Sequence, residues 1–341
     1  LISLWFLCAI GWPFSTSAPA REDPDLVKLA DGVYTRIVSP DGNAVANAGF
    51  VVLEDSVLVF DTHFTPEAGQ ALLAAIRSVT SYPVRYVVNS HWHADHTHGN
   101  QAFRDALRIG STNTRAGVMQ NDLPSLNRTL DIAKSQLAKL NEQLEKETDA
   151  EQIKRLRDQI RPRDNYLRTM SRLQFMPPFV TLDDNMTIQD GRRTVRLLYL
   201  GAGHTDGDIV LLLPSEKIAF VGDLFFSKAI PNVEDANILG WMKTLEAVVK
   251  LNADKYVPGH GPIGSLKDVQ TFLDYFHDLK SLVQASLDNG DSLEQAARET
   301  QVPAKYSTYL FQSFFPSNVQ KMYTELKALQ ISSEQEQEKA R

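Results

Sequence analysis

Apolar residues fall along the chain in two rhythms. Val33-Tyr34-Thr35-Arg36-Ile37-Val38, Gly49-Phe50-Val51-Val52-Leu53 and Val57-Leu58-Val59-Phe60 are short β-branched and aromatic runs, separated by the turn clusters Ser39-Pro40-Asp41-Gly42-Asn43 and Glu54-Asp55. They predict an antiparallel meander. From Pro66 to Ser78 the rhythm becomes helical, with Ala71, Leu72, Ala75 and Ile76 on one face and Pro66 suited to the first turn. Val84-Arg85-Tyr86-Val87-Val88 reads as a buried strand, and Gly99 and Asn100 open a helix carrying Phe103. Strand signals return at Met186-Thr187-Ile188, Thr194 to Leu200, Ile209 to Leu213 and Ile218 to Val221. From Ser265 the pattern is helical to about residue 330, with the aromatics between Tyr306 and Phe315 expected in the core and Ser332 to Arg341 expected to fray.

Residues 123–173 break this alternation. Leu126, Leu130, Ala133, Leu137, Leu140 and Leu144 recur at steps of four and three, and Ile153, Leu156 and Ile160 resume the series after Glu147-Thr148-Asp149. This predicts a charged, amphipathic helical hairpin inserted into an α/β (α+β) chain. Such an insertion can be a lid or wall over a site, an arm that makes a homo-oligomer, or a solvated excursion with no role.

Composition narrows the class. A chain of 341 residues with 43% hydrophobic content can bury a large core, as one large domain or two ordinary ones. Its net charge of −7, without a long basic run, recommends neither nucleic acid nor an anionic membrane as partner. Leu1 to Phe14 is apolar and uncharged, and Ala18-Pro19-Ala20 has the small-x-small form of a signal-peptidase site. Residues 1–20 are therefore expected to be an export signal, leaving a domain over 21–341 in the periplasm or secreted, with no stable membrane insertion after cleavage. A buried strand or a membrane anchor is the alternative, though the segment is short for a span. The only cysteine, Cys8, lies in that leader, and Phe6-Leu7 before it do not make a lipobox.

The chemistry concentrates in Asn89-Ser90-His91-Trp92-His93-Ala94-Asp95-His96-Thr97-His98-Gly99-Asn100, directly after a strand. In a tight turn His91 and His93 can point onto one cation while Asp95 and His96 project toward a second, and imidazole with carboxylate suits zinc, iron and other first-row metals. A polar loop that binds nothing is the bland alternative for this segment alone. Three further candidates weigh against it: His204 in Gly203-His204-Thr205-Asp206-Gly207-Asp208, Asp223 in Gly222-Asp223-Leu224, and His260 in Gly259-His260-Gly261. Asp61 and His63 follow another strand and are candidates to orient metal-bound imidazoles. His98 could touch substrate or be a surface imidazole, and Lys228 could bind a substrate carboxylate or be solvated. Phe225, Phe226 and Trp241 could line a pocket or fill the core.

With these segments in order, His91-x-His93-x-Asp95-His96, then His204, Asp223 and His260, the chain resembles the metallo-β-lactamase superfamily. The resemblance implies a four-layer αββα sandwich with the metals at one edge. It implies that His91, His93 and His204 hold one metal and Asp95, His96 and His260 a second, with Asp223 bridging. Two zinc ions per chain are expected, with iron or manganese as alternatives, and Asp95, His204 and Asp223 are the expected catalytic residues. Metals about 3.5 Å apart can share a hydroxide that attacks an ester, lactone, thioester or β-lactam carbonyl of a small-molecule substrate. Dedicated zinc β-lactamases typically carry Cys or Ser where this chain has Asp223, which favours a general hydrolase. A non-haem iron sulfur dioxygenase of the same fold, and a non-catalytic scaffold using the hairpin, are the rival readings.

Overall fold

The computed structural model describes residues 23–39, 43–191 and 193–339; the leader read over 1–20, with Cys8, lies outside them. The meander forms as expected from β2 (Val33–Arg36), β3 (Ala48–Val52) and β4 (Val57–Phe60), with an additional edge strand, β1 (Leu26–Ala30), before it. Helix α1 (Pro66–Val79), capped by Thr65 through its acceptance of the Ala68 N–H, leads to β5 (Val84–Val88), which pairs parallel to β4. The metal loop follows, passing through α2 (Ala94–Thr97) and a 3-10 turn (His98–Phe103) rather than one regular helix. Then come β6 (Leu107–Ser111), α3 (Thr112–Gly117), the hairpin α4 (Leu123–Lys146) and α5 (Ala150–Met170), and β7 (Val180–Leu182). These strands make a seven-stranded sheet in chain order, parallel from β4 to β7.

The second sheet has the order β12-β11-β10-β9-β8. Its strands are β8 (Asn185–Asp190), β9 (Arg193–Tyr199), β10 (Ile209–Leu213), β11 (Ile218–Phe226) and, after α6 (Ile238–Val249), β12 (Lys255–His260). The chain closes with α7 (Leu266–Asp288), α8 (Leu293–Glu299) and α9 (Phe315–Lys339). The last helix continues through Ser332 to Lys339, where fraying was expected, on a Gln- and Glu-rich run of good helix formers.

Three cores define the layers. β4 is buried throughout because its alternate residues enter different cores. Leu58 and Phe60 join Val88 and Ile109 against Val195, Leu211 and Phe220 of the second sheet, whereas Val57 and Val59 face Leu72 and Ile76 of α1. On the far side, Val210, Leu212 and Val221 pack under Trp241, Phe272, Phe276 and Val319. The order is helix, sheet, sheet, helix, the αββα sandwich. Tyr306 and Phe315 are in the last core, as expected. In the hairpin only Leu126 and Met170, both at its base, are buried, so the pair projects from the body. Among the described residues no helix is long and apolar enough to cross a membrane.

Candidate metal centre

The centre is assembled where β4, β5, β11 and β12 end or break. Just after β4, Asp61 is 1% exposed and its carboxylate accepts from Ser90 N–H at 2.7 Å, Ser90 Oγ at 2.8 Å and His96 Nδ1 at 2.8 Å. After β5, Asn89 donates to the His96 carbonyl and to Asn100 Oδ1, and Asn100 donates back to Asn89 Oδ1. This network closes the metal loop on itself. Asp223 lies inside β11 rather than beyond it: the strand continues past Val221, with its pairing to β12 irregular around Gly222. Gly222 has φ +52, and a Cβ there would meet the Ser90 side chain, so only glycine lets the strand turn Asp223 toward the loop this close to Ser90.

Two groups of ligand-type atoms result. His91, His93, His204 and Asp223 each offer an atom within 4.8 Å of the others, and Asp95, His96 and His260 form a second such group. Asp223 touches both. Its Oδ2 lies 3.2 Å from His204 Nε2 and 3.4 Å from His260 Nε2, and its Oδ1 lies 3.2 Å from His96 Nε2. Asp95 Oδ2 is 3.3 Å from His260 Nε2.

Hydrogen-bond partners fix which nitrogen faces the centre. His204 Nδ1 lies 3.1 Å from the Asn232 carbonyl, which only accepts, so the proton is on Nδ1 and the lone pair on Nε2. His93 Nε2 is 3.0 Å from the Asp235 carboxylate, which leaves its lone pair on Nδ1. These two lone pairs face each other at 2.9 Å, an arrangement that needs a cation or an added proton between them. Ser90 Oγ donates to Asp61 and so accepts from His91 Nδ1 at 2.9 Å, directing His91 Nε2 inward, and Asp61 does the same for His96. His91 Nε2, His96 Nε2 and Asp223 Oδ1 are buried without hydrogen-bond partners. Unpaired buried polar atoms cost about 1–3 kcal/mol each, and a bound cation relieves that cost for all three together.

The charges agree. Burial pushes the His204 imidazole down to about 3 despite Asp223, so it is neutral, as a ligand must be. At the other end burial opposes protonation of His260, yet Asp223 and Asp95 outweigh it and raise its pKa to about 9; His96 is raised likewise by Asp223, Asp61 and Asp95 against burial. The carboxylates here demand positive charge, which protons supply and a metal would displace. These donors fit metal cations.

The remaining sequence candidates separate. His63, expected as an orienting partner, is turned away: Nδ1 lies 2.7 Å from the Ala46 carbonyl and Nε2 3.1 Å from Arg36, and burial pushes it down to about 3. His98, expected at the surface or on substrate, is buried instead, 2.9 Å from Asp122 at the base of the hairpin and stacked on Phe64. Lys228 is exposed. Phe225 is core, while Phe226 stacks on His260 and Trp241 lies edge-on to His204, so both back the ligands. Sequence reasoning missed Ser90, Asn232, Asp235 and Asp208. Asp208 accepts from Thr205 N–H and Oγ1, fixing the His204 loop, and burial raises its carboxyl to about 7. Its only signal was its place in the glycine-rich segment around His204. A cavity of about 510 Å³ opens beside the centre, lined by Trp92, His93, Asp95 and the hairpin base.

Comparison with known proteins gives the same family throughout. The family model for the metallo-beta-lactamase superfamily matches residues 41–117 and 138–260. A metallo-beta-lactamase type 2 from Bacteroides fragilis is 35% identical over 92 residues, 26% of this chain and 37% of that protein. The chain thus spans little more than a third of the length of such relatives; a Bacillus cereus metallo-beta-lactamase type 2 is matched over 36% of its length. The linear primary-alkylsulfatase of Pseudomonas sp. (strain ATCC 19151) is 21% identical over 75% of this chain and 50% of its own. Among solved structures, a metallo-beta-lactamase from Pontibacter korlensis superposes with a TM-score of 0.55 at 19% identity, covering 74% of this chain and 98% of that one, a likeness of fold. Matched by the family model over more than half its length, the chain belongs to the metallo-beta-lactamase superfamily.

Proposed function

We propose that the chain is a metal-dependent hydrolase holding two zinc ions. His91, His93 and His204 would hold one cation and Asp95, His96 and His260 the other, with Asp223 reaching both. Such a pair, when bound, lowers the pKa of a shared water toward neutrality and polarises an electrophilic carbonyl. The observation that carries this reading is the convergence of ligand-type atoms in two groups joined by one carboxylate, with His91 Nε2, His96 Nε2 and Asp223 Oδ1 buried and without hydrogen-bond partners. A single-metal redox centre does not need the second group, which weighs against the iron dioxygenase reading.

The chain's own residues do the rest. Asp61, through Ser90 and His96, holds the imidazoles in one tautomer. Trp241 and Phe226 exclude water from behind His204 and His260. Asp223 has a side-chain exposure of 3% and is enclosed, whereas Asp95 at 19% reaches toward the cavity and is the carboxylate able to pass a proton to a leaving group. The substrate class is an ester, lactone, thioester or β-lactam, and the alkylsulfatase relative adds sulfate esters to the panel to be tested. The leader adds a periplasmic or secreted location, which cell fractionation checks.

The test is metal content with turnover. Two zinc per chain, hydrolysis lost on chelation and regained on adding zinc are expected. Hydrolysis that survives full demetallation, or one iron per chain with oxygen uptake, would refute the reading.

A further inference from the structure

Above its base the hairpin takes no part in the metal centre, and charge is segregated along it. Residues 142–151, at the tip, carry five carboxylates and one lysine, whereas residues 152–170, the return along α5, carry six Lys or Arg and two Asp. Ion pairs within the arm join near neighbours, Glu142 to Lys146 at 2.6 Å and Glu151 to Arg155 at 3.7 Å. Among the described residues Lys154, Arg157 and Arg168 have no ion pair.

Its apolar seam is unfinished as well. Leu130, Leu137 and Leu144 of α4 and Ile153, Leu156 and Ile160 of α5 recur at coiled-coil spacing, yet all six are only half-buried. Each helix has one partner helix where a four-helix bundle gives it two. A groove of about 570 Å³ lies along α5, and Ile153, Ile160, Lys154, Arg157 and Arg161 are among the residues lining it.

We propose that the hairpin is a dimerisation arm: two copies of the chain lay their hairpins side by side in antiparallel sense, the acidic tip of each on the basic α5 of the other, and the four helices close a bundle around the seams. The charges select this occupant. Tip and shaft are of opposite sign on one arm, so a second copy turned about a two-fold axis meets both at once. An extended anionic partner, such as a nucleic acid or a phospholipid bilayer, would be drawn to the shaft and repelled by the tip. The size is adequate too. A helix of 24 residues is about 36 Å long and two side by side are about 20 Å across, so each arm offers about 700 Å² and the pair about 1,400 Å², within the range of specific interfaces.

Sedimentation equilibrium tests the pairing. The wild type should dimerise in low salt and dissociate as added salt screens the arms. The triple reversals Lys154→Glu/Arg157→Glu/Arg168→Glu in the shaft and Glu142→Lys/Glu145→Lys/Glu151→Lys in the tip each bring the two zones to the same sign, so each alone should weaken the dimer roughly tenfold or more. An equimolar mixture of the two variants should recover it, because both contacts then join opposite charges, and recovery also shows that both variants fold. A spin label on Thr148→Cys gives a second reading, since the tips of an antiparallel pair lie about 36 Å apart, the length of the arm. A monomeric wild type, a dimer untouched by either reversal, no recovery on mixing, or labelled tips within about 20 Å of each other overturns the proposal. A monomeric wild type that binds single-stranded RNA or phosphatidylserine vesicles through the same arginines assigns the shaft to that partner instead.

Discussion

Asp61→Asn keeps the shape of the residue that sets the imidazole tautomers and changes only what it can accept. In the wild type three donors converge on the carboxylate at 2.7, 2.8 and 2.8 Å. An asparagine can still accept from Ser90 N–H, but its amide nitrogen then faces Ser90 Oγ and His96 Nδ1. Two donors cannot bond each other, so His96 must give up the proton on Nδ1 and hold its remaining one on Nε2, the nitrogen that faces Asp223. Ser90 Oγ, now accepting from the amide, turns its proton toward His91 Nδ1, and His91 Nε2 becomes protonated in turn. The substitution thus caps one ligand atom in each group. The loss of a charge-assisted hydrogen bond is worth about 1.5–3 kcal/mol, partly offset because burial already opposes the Asp61 charge and raises its pKa. Net destabilisation of the metal-free protein should be about 1–2 kcal/mol, whereas zinc affinity should fall roughly 10–100-fold, the usual effect of removing a group that orients a ligand. Competition with a chromophoric chelator measures the affinity and thermal unfolding of the metal-free forms measures the stability. A variant that binds both zinc equivalents as tightly as wild type would refute the tautomer argument.

Two further predictions use the same geometry. A Cβ on Gly259 would overlap the Asp223 carboxylate, so Gly259→Ala should displace it, costing about 1–3 kcal/mol of stability by overpacking and weakening zinc binding; unchanged metal affinity counts against Asp223 as the shared ligand. Asp208 has its carboxyl raised to about 7 by burial from an ordinary 3.8, so between those values the unfolded chain releases a proton that the folded chain keeps. Its contribution to stability is complete below about pH 4 and drains away up to about pH 7, by up to roughly 4 kcal/mol. Metal-free Asp208→Asn should therefore gain on wild type in denaturant unfolding from pH 5 to pH 8, and a difference constant with pH would show that the carboxyl is not so raised.

The local pattern alone was enough to place β2 to β5, β8 to β11, the first helix and the hairpin, because alternation and helical spacing record which face of an element meets a core. It also gave the order of the seven ligand-type residues, since metal chemistry restricts residue type and the loop motif is contiguous. It passed over β1 (Leu-Val-Lys-Leu-Ala) and α6 although both are apolar, and three other elements it missed carry weaker strand signals. β6 is Leu-Arg-Ile-Gly-Ser, β7 has three residues, and β12 contains Pro258 and Gly259, which argue against a strand. β7 and β12 lie at the edges of their sheets, and β6 lies one strand in from an edge. Partner choice was equally out of reach. His63 and His98 carry the same imidazole as His91, yet one is claimed by Arg36 and the Ala46 carbonyl and the other by Asp122. His93 owes its tautomer to Asp235, 142 positions away. A sequence fixes which groups are present and their local rhythm; which nitrogen carries the proton depends on neighbours that only the packed sandwich brings within hydrogen-bonding reach.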